Sequence, residues 1–423
     1  MKRYLLMALL LSLVATTEAQ LLKNAANKVK QKVDQKTNQA IDKTIDDAVD
    51  GKKKPAETPT TTEAIPASQT ETTTTKAQPK TLKAYSKYDF VPGDLILYAE
   101  DFAQDAIGEF PARWNTDGSG EVVTLEGLPG KWLSLTERTF YETAYKNKLP
   151  ENFTVEYDMV AEYKDDQGVP NVNTILFREP QKNRQTGAWL KLYPNGGTSQ
   201  MRDAAAFHNQ NTNGYTELQA KSQYLTAFNE SNHKVQPVHV AIWVQKERVR
   251  AWVNHDKIYD LPKGMPAGAE PERLGWELGS YGGPKENYKY YISNIRIAAA
   301  TPDNRNKLIT EGKWSTSGIL FDVNSDKIKP TSFGVLKEIA GVLTENSGVK
   351  VKIIGHTDTD GEDAANLDLS KRRAEAVKTA LSTEFGIDAA RMQTDGMGET
   401  KPVADNGKPE GKAQNRRVEF VKL

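Results

Sequence analysis

Gly355-His356-Thr357-Asp358, Leu369-Ser370-Lys371-Arg372-Arg373-Ala374, Gly396-Met397-Gly398-Glu399 and Asn415-Arg416-Arg417-Val418 lie in order along the last quarter of the chain. The residues around them alternate between strand and helix patterns. Ile319 to Val323 reads as a strand. Pro330 to Thr344 reads as a helix, because Phe333, Leu336, Ile339, Ala340 and Leu343 recur on one face. Val349 to Thr357 is a strand with Val349, Val351 and Ile353 inward. Asn366 to Phe385 is a second helix, with Ala374, Val377, Leu381 and Phe385 inward and Gly386 as its stop. Arg391 to Thr394 and Val418 to Leu423 complete the set as strands. The expected order is βαβαβ with a final strand, an α/β domain over residues 316–423.

Asp358 follows directly on a strand, so a rigid element holds the acid at the end of the sheet. Thr359-Asp360-Gly361-Glu362 turns the chain toward the next helix, whose free N–H groups favour an anion. Arg373 stands one step from the inward Ala374, so its stem is fixed while its guanidinium reaches over the sheet. A guanidinium grips a carboxylate in a bidentate fork, which lysine cannot do. An acid and a fork-shaped cation facing one cleft suit a zwitterion. On chemistry alone, an internal ion pair between the two is the commoner outcome.

The four motifs resemble, at their spacings, the OmpA-like peptidoglycan-binding domain family. The resemblance covers the last quarter of the chain and implies a ligand. The aspartate closing Gly355-His356-Thr357-Asp358 would bind the ammonium of diaminopimelate in the wall's stem peptide. Arg373, in Leu369-Ser370-Lys371-Arg372-Arg373-Ala374, would bind its carboxylate. The resemblance also implies Asn324 as a contact on the first loop, Arg416 as a second arginine at the rim, and hydrogen bonds from Thr357 and Thr359. His356 would be architectural, and Asn366 a cap or loop tie.

Residues 88–300 read as all-β. Phe153 to Met159 and Val238 to Val244 alternate apolar with polar, and short turns lead into Val249 to Val253 and Ile258 to Asp260. Tyr290 to Ile297 closes the region. The expected fold is an antiparallel sandwich. The late hairpin with a tryptophan on each arm and the Tyr-rich last strand resemble the concanavalin-like jelly rolls of lectins and glucanases. A membrane barrel is disfavoured, because the strand face bearing Glu156, Asp158 and Glu162 is charged. Val160 stands where the glucanase Glu-x-Asp-x-Glu line has its third acid, so these are expected to be solvated strand acids. Trp189, Trp243, Trp252 and Trp276 are read as core first and as sugar platforms second.

Upstream, residues 1–19 read as a secretory signal, 20–51 as an amphipathic helix, and 52–87 as a Thr/Pro-rich linker too polar to bury a core. Residues 301–315 are a polar connector. Lys plus Arg equals Asp plus Glu, 56 against 56, so no charge imbalance points to nucleic acid. Cysteine is absent, which excludes disulfides, thiolate metal sites, cysteine nucleophiles and a lipid-bearing cysteine. No cofactor or metal is expected. The composite expectation is a non-enzymatic envelope protein, exported to the periplasm and associated with the outer membrane or wall. It would bind diaminopimelate-type peptidoglycan, with a glycan or envelope protein on the sandwich and self-association through the N-terminal helix. A wall-tethered glycan hydrolase and a scaffold or stator subunit are the alternatives.

Overall fold

The computed structural model describes residues 88–163, 171–178, 187–193, 204–211, 214–222, 224–225, 237–269, 274–280, 288–300 and 307–423. The chain divides into compact units at residues 1–77 and 78–423, and the described residues all belong to the second. The expected signal, helix and linker lie outside them.

Among the described residues, the first part is built mainly from strands. An eight-stranded sheet contains β1 (Leu95–Glu100), β3 (Gly120–Val123), β4 (Trp132–Leu135), β6 (Asn152–Tyr163), β11 (Val238–Gln245), β12 (Arg248–Val253), β13 (Asp256–Leu261) and β15 (Tyr288–Ala299). Its order is β13-β12-β11-β6-β15-β4-β3, with β1 also on β15. A seven-stranded sheet contains β2 (Asn115–Thr116), β5 (Thr139–Glu142), β7 (Val172–Arg178), β8 (Gly187–Tyr193), β9 (Ala204–Asn211), β10 (Gly214–Lys221) and β14 (Gly275–Leu278). Its order is β10-β9-β8-β7-β14-β5-β2. Pairing in both sheets is antiparallel. The period of two in β11 sends Val238, Val240, Ile242 and Val244 into a cluster shared with the second sheet. Tyr157 of β6 meets Trp276 of β14 edge-on at 5.3 Å, and its hydroxyl bonds the Thr174 hydroxyl of β7 at 2.5 Å. Trp276 and Trp252 are fully buried.

The other face of the eight-stranded sheet is also covered. Ala241 and Trp252 are sealed there with Tyr88 and Phe90 of the incoming chain and Phe333 of the C-terminal part. Arg296 of β15 donates to the Ser317 carbonyl at 2.9 Å, the Ser317 hydroxyl at 2.7 Å and the Gly93 carbonyl at 3.3 Å. Residues 88–93 thus run between the sheet and the C-terminal part.

That part is a four-stranded sheet with helices: α1 (Lys307–Thr310), β16 (Lys313–Thr316), α2 (Phe333–Glu345), β17 (Val351–Gly355), α3 (Asp363–Phe385), β18 (Met392–Gly396), α4 (Pro409–Asn415) and β19 (Val418–Lys422). The order is β16-β19-β17-β18, parallel only between β17 and β18. Two expectations are corrected. Ile319 to Val323 is not a strand but an excursion with one bridge, Phe321 to Ile328. Its backbone is satisfied locally: the Ser332 hydroxyl serves both the N–H and the carbonyl of Leu320, and the Lys329 N–H reaches that carbonyl. The first strand is instead 313–316, starting in the expected connector and ending at the expected first residue of the domain, because β19 offers it a partner and Trp314 a place in the core. Helix α4 was not expected; Pro409 opens it.

Gly334, in the first turn of α2, lies against the Phe90 carbonyl so closely that a Cβ would overlap it. Gly334→Ala is therefore expected to lift residues 88–93 off the helix and cost roughly 1–3 kcal/mol. Denaturant unfolding of the full chain checks this, and an unchanged midpoint would show that the seat is not tight.

Candidate ligand-binding site

The site is built where β17 ends. Val351, Ile353 and Gly355 point into the core, and Gly355 and Gly396 let α3 approach to backbone distance at Ser370. The chain leaves the sheet through His356 and Thr357, whose N–H groups bond the Arg417 and Gly398 carbonyls. Asp358 follows, only 6% exposed. Its Oδ1 accepts the Asp360 N–H at 3.2 Å and its Oδ2 accepts Arg416 Nη1 at 2.5 Å. Asn366 is the expected tie: its amide donates to the carbonyls of Asp358 and Asp360 and to Glu399 Oε2.

Arg373 comes from the middle of α3. Its Nε donates to the Ser325 carbonyl at 3.0 Å and its guanidinium lies 4.8 Å over the Phe321 ring. Among the described residues it forms no ion pair, and its terminal nitrogens make no hydrogen bond. Burial, with the like charge of Arg416 next, pushes its pKa down to about 10, against the pull of Asp358. It stays protonated at neutral pH. A half-buried, oriented cation with its fork unspent is suited to an incoming carboxylate.

Asn324 is exposed in the turn between Asp322 and Ser325, with φ +52°. That loop is held at Arg373 by the Ser325 carbonyl and by Asp326, which pairs with Arg372 at 3.3 Å. Thr359 is exposed, whereas the Thr357 hydroxyl is sealed without a partner among the described residues. His356 is buried 3.6 Å from Glu419. Burial would raise the Glu419 carboxyl, but His356, Lys313 and Arg417 hold it far below the usual range. Asp358, Arg373, Arg416 and the Asn324 loop are thus brought together. The sequence reading missed Phe321 and Ser325, which orient Arg373, and Lys412, which pairs with Asp360 at 2.6 Å. The only signal for the last was that Lys412 and Arg416 are four apart behind a helix-opening proline.

Of the three acids of β6, Glu156 and Asp158 are not solvated, contrary to expectation. Glu156 is 3% exposed, 3.8 Å from Arg296 Nε and 3.6 Å from His239. Asp158 accepts from His239 Nδ1 at 2.8 Å and from Asn294 at 2.8 Å. The covered sheet face forces these charges to neutralise one another. Of the tryptophans, Trp243 carries Arg250 4.0 Å over its ring, and Trp189 stacks flat on His208 at 5.3 Å.

The arrangement is a small α/β domain whose sheet end carries an acid and an unspent guanidinium. Residues 320–416 match the OmpA family, and this part of the chain belongs to it. The chain is 44% identical over 105 residues to the probable lipoprotein YiaD of Escherichia coli, covering 25% of this chain and 48% of that protein. It is 42% identical over 101 residues to outer membrane porin F of Pseudomonas aeruginosa, covering 24% of this chain and 29% of that protein. It thus spans less than half the length of these two curated relatives. The solved peptidoglycan-associated lipoprotein of Burkholderia pseudomallei is 34% identical, with 26% of this chain and 89% of that one covered, at TM-score 0.24. Among the described residues, no helix is long and apolar enough to cross a membrane.

The β6 cluster generates a pH prediction. Burial works against a charged His239, but its bond to Asp158, with Glu156 beside it, outweighs that and raises its pKa from 6.5 to about 9. A raised folded-state pKa means stability that is fully present below pH 6.5 and is lost as pH rises toward 9. Tm should fall across that window, and His239→Gln should flatten the fall. An equal slope in the variant would remove His239 as its cause.

Proposed function

We propose that this protein is a non-enzymatic component of the bacterial cell envelope that holds peptidoglycan non-covalently, through the diaminopimelate of the stem peptide. The observation that carries the reading is the unspent Arg373 fork beside the sealed Asp358, within the residues that match the OmpA family. In this reading the ligand carboxylate lies on Arg373, with Arg416 adding positive potential, and the ammonium reaches the Asp358 carboxylate. Asn324, Thr357 and Thr359 frame the amine and carboxylate, Thr357 after a rearrangement that uncovers its hydroxyl. Relatives named as outer membrane proteins and as peptidoglycan-associated support a place at the outer membrane or wall, reached by export through the signal at residues 1–19.

The two-sheet part is assigned, on its strand pattern and two facing sheets, a concanavalin-like sandwich of jelly-roll type that presents a surface to a glycan or an envelope protein. Residues 20–51, which lie outside the described residues and read from the sequence alone as an amphipathic helix, are assigned self-association or docking on a partner. A hydrolase is the weaker reading, because Glu156 and Asp158 are engaged by His239, Arg296 and Asn294.

Sedimentation of the full chain with peptidoglycan tests the site. Asp358→Asn and Arg373→Ala should each weaken binding roughly ten-fold or more, the loss of a hydrogen bond to a charged group. Arg373→Lys should fall between, keeping charge but losing the fork. Lysine-type wall, which lacks the second carboxylate, should pellet less protein than the diaminopimelate type. Undiminished binding by both Asp358→Asn and Arg373→Ala would sink the site, and equal pelleting by both walls would sink the ligand chemistry.

A further inference from the structure

Helix α4 is only seven residues long. A helix of two turns does not hold itself together in water, so what it touches decides whether and where it forms. Two pairs of its residues, each four apart, face different parts of the molecule. Lys412 and Arg416, the latter just past the helix end, reach the site loop: Lys412 pairs with Asp360 at 2.6 Å and Arg416 with Asp358. Glu410 and Gln414 reach the two-sheet part. Glu410 takes Arg113 at 3.0 and 3.3 Å. The Gln414 side chain accepts the Ile96 N–H at 2.9 Å and donates to the Asp94 carbonyl at 3.0 Å. Those two backbone groups stand two residues apart at the start of β1, the spacing at which a neighbouring strand would bond them. Gln414 therefore docks α4 on β1 as a strand would.

We infer that Gln414, with Glu410, is a positioning residue for the ligand site: the two-sheet part sets Arg416 on Asp358 by holding α4 on β1, so the site is completed across the two parts of the chain. This rests on the proposed diaminopimelate site and extends it. The physical reason lies in Arg416. Its side chain is 42% exposed, so little besides the Asp358 carboxylate and its helical root fixes it. Asn415 fastens the other side of the root: its side chain is bonded to the backbone of Val403 and Ala404 and to Asn406. If α4 loosens from β1, the second positive charge beside Arg373 is no longer held, and a bound carboxylate loses part of its field.

The experiment titrates a diaminopimelate-containing tripeptide into the full chain by calorimetry. Gln414→Ala and, separately, Glu410→Ala should raise Kd roughly three- to ten-fold through partial loss of the docked helix. In an Arg416→Ala background the same changes should have little further effect, because they act through Arg416. A purely structural role would instead weaken binding equally in both backgrounds, and that result overturns the inference, as does an unchanged Kd in both single variants. Two variants are used so that one that fails to fold, seen by its melting curve, leaves the other decisive. If Asp358→Asn binds the tripeptide as well as the parent does, the underlying site reading has failed instead, and the two failures are distinct.

Discussion

A carboxylate removed from water must keep a cation or several donors beside it. Asp358 is such a group, lodged at the end of β17 with Arg416 on one oxygen and the Asp360 N–H on the other. Much of the C-terminal architecture follows from satisfying it. The glycines at 355 and 396 bring α3 close enough for Arg373 to overhang the same sheet end. Asn366 ties the turn after Asp358 to Glu399. Helix α4 exists at the point where Arg416 must be delivered, and β1 carries that helix.

The same electrostatic rule organises the junction between the two parts. Arg296 crosses it with three hydrogen bonds to Ser317 and Gly93, and burial pulls its pKa down while Glu156 opposes that. Around it Glu156, Asp158 and His239 neutralise one another on a sheet face that an isolated two-sheet module would have left to solvent. Aromatic contacts finish the seal, with Phe90 edge-on to Trp252 at 5.2 Å. A junction of buried charge and aromatic rings favours one relative placement of the two parts, since a shifted one would strand charges without partners. The site at Asp358 inherits that placement through α4.

Legibility in the sequence followed the range of the interactions. The helices at 333–345 and 363–385 and the strand at 351–355 were read close to their ends, because period and stop signals such as Gly386 act within a few residues. Asp358 and Arg373 stood out because motif spacing carries them. The strand at 313–316 was missed, since its pairing with β19 joins residues a hundred positions apart in the chain and leaves no local mark beyond Trp314. Glu156 and Asp158 were misread as solvated for a similar reason: alternation shows which face a residue takes, not what lies over that face.

By itself, the sequence determined the α/β character of the last quarter and the β-rich character of the middle, and it singled out the acid and the guanidinium of the proposed site. Each of these is written in periodicity or in a short motif, where neighbours along the chain share one element. Only the tertiary structure decided that Asp358 keeps Arg416, that Arg373 keeps no anion among the described residues, and that Gln414 clasps β1. The clasp joins Ile96 to a residue 318 positions away. No pattern along the chain encodes such a pairing, because it depends on two separately folded surfaces meeting in one register.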